Sequence, residues 1–140
     1  MEQSTKQFRK RNAILACVRC TDIHPSADWV YAQLKPEYPD ISLGTVYRNL
    51  ALFKQQGLIA SLGTVSGVER FDGNTDPHVH FICTACDSVM DLPQMAVPET
   101  LSREAADQIG ARIASCNLSF TGVCNRCNGS SCGELARRMP

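Results

Sequence analysis

The chain has no apolar run near the ~20 residues that a membrane helix requires. Its opening residues, Met1-Glu-Gln-Ser-Thr-Lys6, lack the charged-then-apolar pattern of a signal peptide. Both absences point to a protein that acts in the cytoplasm and away from membranes. There is no internal repeat, no low-complexity segment and no net charge, since 14 Lys and Arg balance 14 Asp and Glu. Histidine is scarce, with only His24, His78 and His80 in 140 residues. No substrate-pocket signature or general base stands apart from these few groups and their acidic neighbours, which speaks against an enzyme.

Cysteine is plentiful, with eight residues. Without a secretion signal, metal ligation explains them better than a disulfide scaffold. At 44% hydrophobic and 20% charged the chain is globular, but its length makes one ordinary domain or two very small ones. Two small units would each have a thin core, which a metal would reinforce. The zero net charge hides an asymmetry: residues 1–70 hold nine Lys or Arg against six Asp or Glu, and residues 71–140 hold five against eight. A mildly basic first half fits contact with nucleic acid, and an acidic second half fits metal or partner contact.

The apolar pattern predicts a first amphipathic helix carrying Ile14, Leu15 and Val18 and ending near Thr21-Asp22. A second is capped by Ser26, carries Trp29, Val30 and Leu34, and is closed by Pro36 and Pro39. A third, capped by Ser42, runs from Leu43 to about Gln56 and stops at Gly57. Leu43, Val46, Leu50 and Phe53 give it a buried stripe. Ser42, Thr45, Tyr47, Arg48 and Asn49 are left to meet bases and phosphates. Residues 58–62 and 68–71, joined through Ser66-Gly67, read as a hairpin, and three helices plus a hairpin spell a winged helix-turn-helix. The expected organisation is α+β: a DNA-binding domain over 1–71, a hinge over 72–77, a small α/β dimerisation domain over 78–128 and a flexible tail over 129–140. In the second domain the pattern predicts strands at 78–83, 88–92 and 112–123 and a helix at 98–110.

Cys83-Thr-Ala-Cys86 and Cys124-Asn-Arg-Cys127 form two matched pairs. Each places two sulfurs on one tight turn, and two such turns complete the tetrahedron of a structural zinc site. The 37 intervening residues require a helix and a strand to fold between them. Cys17-Val-Arg-Cys20 has the same spacing but falls in a predicted helix, so it reads as ordinary helix cysteines; Cys116 and Cys132 have no assigned role.

Side chains two apart share a face of a strand, so His78 and His80 project together while Phe81 and Cys83 point the other way. Imidazoles and thiols therefore belong to two different sites. With His24, Asp72 and Asp91 the imidazoles make a five-ligand nitrogen and oxygen shell suited to iron(II), manganese(II) or zinc.

At these residues the chain resembles the ferric uptake regulator family, in particular its peroxide-stress repressor branch. The resemblance runs from about Arg11 to Cys127. It is carried by His24-Pro-Ser-Ala-Asp28, Ile41-Ser-Leu-Gly-Thr-Val-Tyr-Arg-Asn-Leu50, Arg70-Phe-Asp72, the stretch from His78 to Cys86, Val89-Met-Asp91 and Gly122-Val-Cys124-Asn-Arg-Cys127. It implies a homodimeric metal-dependent repressor of a palindromic operator in double-stranded DNA. Structural zinc would sit on Cys83, Cys86, Cys124 and Cys127, and regulatory iron(II) or manganese(II) on His24, Asp72, His78, His80 and Asp91. Aspartate at Asp91, where iron-sensing relatives tend to carry glutamate, resembles the peroxide-sensing branch. Val79 and Ser115-Cys116 stand where a further family metal site needs a carboxylate and a histidine, so two metals per subunit are expected. The family's extra N-terminal helix has little sequence to form from here, and Lys6, Arg9, Lys10 and Arg11 are expected to replace its backbone contacts. An iron- or zinc-responsive repressor of metal uptake would use the same site. A non-haem metalloenzyme or a thiol redox switch is the reading from another class.

Overall fold

A computed structural model describes residues 1–129. They divide between Thr75 and Asp76 into two compact units. The first begins with α1 (Glu2–Arg19), α2 (Ala27–Leu34) and α3 (Leu43–Gln55). Ser26 and Ser42 cap α2 and α3, their hydroxyls accepting from the backbone N–H of Trp29 at 3.2 Å and of Thr45 at 3.1 Å. Gly57, at φ 72°, takes the left-handed turn that ends the third helix. Ile14 and Val18 from α1, Val30 and Leu34 from α2, and Val46, Leu50 and Phe53 from α3 close over Ile41, Ile59 and Phe71. Each such burial contributes about 1.5–3 kcal/mol.

The wing is a hairpin of β1 (Ala60–Val65) and β2 (Val68–Asp72), turned through Ser66 and Gly67. Both turn residues have positive φ, 50° and 80°, as the tightest two-residue hairpin requires. The first unit is the expected winged helix-turn-helix, with two differences. The first strand lies at 60–65 instead of 58–62. The first helix starts at Glu2, nine residues before Arg11, and most of that stretch faces solvent. No apolar stripe marks an exposed half-helix, but propagation from the turns anchored by Ile14 and Val18 is far easier than nucleation. Two residues expected to meet DNA are engaged elsewhere: Lys10 Nζ pairs with Asp40 at 2.8 Å, and the Arg11 guanidinium lies 5.3 Å from the Phe53 ring centroid.

The second unit contains β3 (Val79–Cys83), β4 (Val89–Leu92), α4 (Glu99–Ile109), β5 (Leu118–Gly122) and a single turn, α5 (Asn125–Asn128). β3 is central, antiparallel to β4 and parallel to β5. The strand expected over 112–123 is confined to Leu118–Gly122. β3 offers only five residues to pair with, Val79↔Leu118 to Cys83↔Gly122, and backbone without a ladder partner does not become strand. Residues 130–140, including Cys132 and most of the expected tail, lie outside the described residues. Among the described residues, no helix is long and apolar enough to cross a membrane.

Candidate metal centres and recognition helix

The four paired cysteines meet. One sulfur from each of Cys83, Cys86, Cys124 and Cys127 lies within 4.8 Å of the other three. Cys83 and Cys127 are 3.7 Å apart at sulfur, Cys86 and Cys124 3.9 Å. These are too far for a disulfide, and they match the ~3.8 Å edge of a tetrahedron drawn with zinc–sulfur bonds of ~2.3 Å. The first pair sits on a knuckle: Asp87 N–H donates to the Cys83 carbonyl and Cys83 N–H to that of Ser88, each at 2.9 Å, with Asp87 at φ 60°. The second pair opens α5, whose Cys124 carbonyl accepts from Asn128 N–H at 2.9 Å. Thr84 N–H and hydroxyl both donate to the Gly122 carbonyl, at 2.8 and 3.1 Å, which ties the knuckle to the end of β5. The Cys124 N–H donates to Cys83 Sγ at 3.3 Å. That bond is the main reason the Cys83 thiol is lowered to about 6, against desolvation, with the knuckle amides assisting. The group is thus disposed to be the thiolate that a metal needs.

On the opposite face of β3 stand the imidazoles. His80 pairs across the ladder with Asp91 of β4. His78 precedes the strand, and its Nδ1 lies 2.6 Å from the Asp76 carbonyl oxygen. That contact orients the ring. His78 Nε2 and His80 Nε2 lie 3.0 and 3.3 Å from the same atom, Asp91 Oδ1, and the ring centroids are 4.3 Å apart. Three ligand-type atoms thus converge on one point, from β3, β4 and the residue just before β3.

The first unit contributes a second pair. His24 Nε2 lies 3.3 Å from Asp72 Oδ2, with both side chains almost fully buried. Asp72 ends β2, and its other oxygen accepts from Asn74 N–H at 2.8 Å. His24 lies in the left-handed region at φ 57°, which costs a residue other than glycine about 1–2 kcal/mol. Neutral imidazoles and carboxylates are the donor set for iron(II), manganese(II) or zinc, not for copper(I) or an iron–sulfur cluster.

A family model described as the ferric uptake regulator family matches residues 2–121. The chain belongs to that family. Family members are transcriptional regulators and not enzymes, which removes the metalloenzyme alternative. The peroxide-responsive repressor PerR of Staphylococcus aureus is 35% identical over 120 residues, covering 84% of this chain and 79% of that one. The peroxide stress regulator of Campylobacter jejuni superposes with a TM-score of 0.75 at 26% identity, over 90% of this chain and 94% of the other. The ferric uptake regulator of Francisella tularensis, solved with iron, has a TM-score of 0.68 at 26% identity, over 84% and 90%.

α3 is the helix expected to meet DNA, and its expected DNA-facing residues are not equally available. Tyr47 and Arg48 are exposed. The Tyr47 hydroxyl donates to Asp28 Oδ2 at 3.3 Å; desolvation and then the Asp28 charge raise its pKa above the usual phenol value. Arg48 Nη2 donates to Thr45 Oγ1 at 3.3 Å, and Thr45 Oγ1 lies 2.8 Å from Ser42 Oγ. Ser42 is occupied as a helix cap. Asn49 Nδ2 donates back to the Thr45 carbonyl at 2.8 Å. Cys17 is half-buried and Cys20 exposed at the end of α1, neither in a metal-capable group among the described residues. Sequence reasoning missed the part played by Arg70, which appeared only as a member of a motif. Its guanidinium reaches across 46 positions to the His24 carbonyl, a contact that no local pattern signals.

Proposed function

We propose that the protein is a homodimeric, metal-dependent transcriptional repressor that binds a palindromic operator in double-stranded DNA and responds to peroxide. In this reading Cys83, Cys86, Cys124 and Cys127 hold structural zinc. His24 and Asp72 join His78, His80 and Asp91 as one shell for iron(II) or manganese(II), across a hinge at 72–77 between a DNA-binding domain (1–71) and a dimerisation domain (78–128). The observation that carries the reading is the convergence of His78 and His80 Nε2 on a single oxygen of Asp91, at 3.0 and 3.3 Å. Two imidazole nitrogens and a carboxylate oxygen gathered at one point make a set of donors that a divalent ion can take.

The ligands divide between two lobes, so the closed arrangement is the one in which both lobes contribute. His24 and Asp72 move with the recognition helix; His78, His80 and Asp91 stay with the dimerisation domain. Holding the five together fixes the hinge, and in a two-fold dimer it sets the distance between the two α3 helices, which must match half-sites about one helical turn apart. Release of the ligands frees the hinge and weakens operator binding, a coupling that is reciprocal by thermodynamic necessity. Tyr47 and Arg48 read bases, while Ser42, Thr45 and Asn49 approach the backbone. Held by these residues, ferrous iron would supply the reduction of peroxide beside the imidazoles, with one peroxide oxygen passing to His24 or His78 and the other leaving as water. The likeness to the S. aureus repressor supports peroxide as the signal.

The test is a DNA-shift titration with manganese(II), iron(II) and zinc(II), each with and without peroxide, followed by peptide mass analysis. Operator binding that needs manganese or iron, and that peroxide abolishes only with iron, is the expected result. It should be accompanied by the mass of one added oxygen on the His24 or His78 peptide. Binding that tracks one metal and ignores peroxide would make the protein a repressor of metal uptake instead.

A further inference from the structure

β2 holds His24 at two ends. Arg70 and Asp72 are two apart in that strand and so share a face. Asp72 meets the His24 ring, 3.3 Å from Nε2. Arg70 takes the main chain on either side: its Nε–H donates to the His24 carbonyl, and its Nη2–H to the Ile23 carbonyl at 2.8 Å. Between them Phe71 N–H donates to the Pro25 carbonyl at 2.9 Å, so the segment Ile23-His24-Pro25 is held along β2. Three consecutive carbonyls are therefore fastened by two consecutive residues. At the middle of this segment stands His24, at φ 57°, a left-handed backbone conformation that costs energy in any residue but glycine.

We propose that Arg70 is the positioning residue of the regulatory site: it touches no metal, but clamps the left-handed backbone of His24 so that the imidazole is presented beside Asp72 before any ion arrives. The inference rests on the reading of His24 as a ligand and adds the group that makes it one. An unclamped segment would relax toward ordinary φ, and ion binding would then have to supply the ordering that Arg70 supplies in advance. Lysine cannot replace arginine here, because the two carbonyls are met by one rigid fork and an ammonium presents a single point.

A double-mutant cycle on the full-length, zinc-holding protein tests this, read by calorimetric titration with manganese(II) alone and by thermal unfolding without added manganese. Arg70→Met should weaken manganese binding about tenfold, the change that ~1.4 kcal/mol represents. It should leave zinc content unchanged and the metal-free transition nearly so, and Arg70→Lys should resemble it. In a His24→Ala background the same Arg70→Met change should add nothing, because the clamp then has no ligand to present. An equal loss in both backgrounds would show that Arg70 acts through general stability and overturn the proposal, as would no loss in either. If His24→Ala itself leaves manganese affinity unaltered, the five-ligand reading fails and takes this inference with it. A normal loss from His24→Ala with none from Arg70→Met would defeat the inference alone.

Discussion

Cys83 has no solvent exposure, receives the Cys124 N–H at its sulfur and faces three other thiols. Few single atoms in the chain have more depending on them. Cys83→Ser should reduce bound zinc from one ion per chain to almost none, measured by chelator release with a colorimetric indicator. It should also lower the unfolding temperature by roughly 10 °C or more, since a few kcal/mol shift a small domain by that much. The pH dependence has a definite sign. The fold favours the thiolate, so this stabilisation is complete above the ordinary thiol range and is gone once pH falls below about 6. Residues of this kind were legible in the sequence because CxxC spacing is local and two turns of matched pattern seldom coincide. His24 was legible as a candidate, but its grip on Asp72 was not. A histidine before a proline is a common turn residue, and its left-handed φ depends on Arg70, far away in the chain.

Helices and strands were legible wherever one face is apolar and a cap is present, as in α2 and α3. They were misjudged where packing gives no signal, as in the solvent-facing half of α1, or where a partner strand runs out, as in β5. Gly73 shows how tightly two elements meet. A β-carbon there would lie 2.7 Å from Arg19 Cα and 3.0 Å from the Val18 carbonyl oxygen, both backbone atoms of α1 that cannot swing aside. Gly73→Ala should therefore push the end of α1 away from the end of β2, at a cost of about 1–3 kcal/mol. Asp72 is the adjacent residue, so manganese affinity should fall along with thermal stability. Calorimetry and a melting curve on the same sample would show both losses, and an unchanged affinity would mean that Asp72 does not depend on this packing.

The second unit leaves much apolar surface uncovered. No residue of α4 is buried, and Leu101, Ile109, Phe120 and Val123 are all exposed, Ile109 by 72%. Leu101, Ala105 and Ile109 follow one another at four-residue steps and form one face of the helix. Such a surface on a small unit marks an interface, and the proposed dimer is what would cover it. Ile109→Glu combined with Phe120→Glu should raise the dimer dissociation constant roughly a hundredfold or more, because each loss is counted twice across a two-fold axis. Sedimentation velocity would read this as a shift to monomer with zinc retained, and operator affinity should fall in parallel. A variant that stays dimeric would place the interface on another face.

β3 carries Cys83 toward the thiols on one side and His80 toward Asp91 on the other. One strand therefore makes the second site depend on the first. A cell starved of the ion that the thiols are proposed to hold is expected to accumulate copies whose His80 is presented on an unbraced strand, present but deaf.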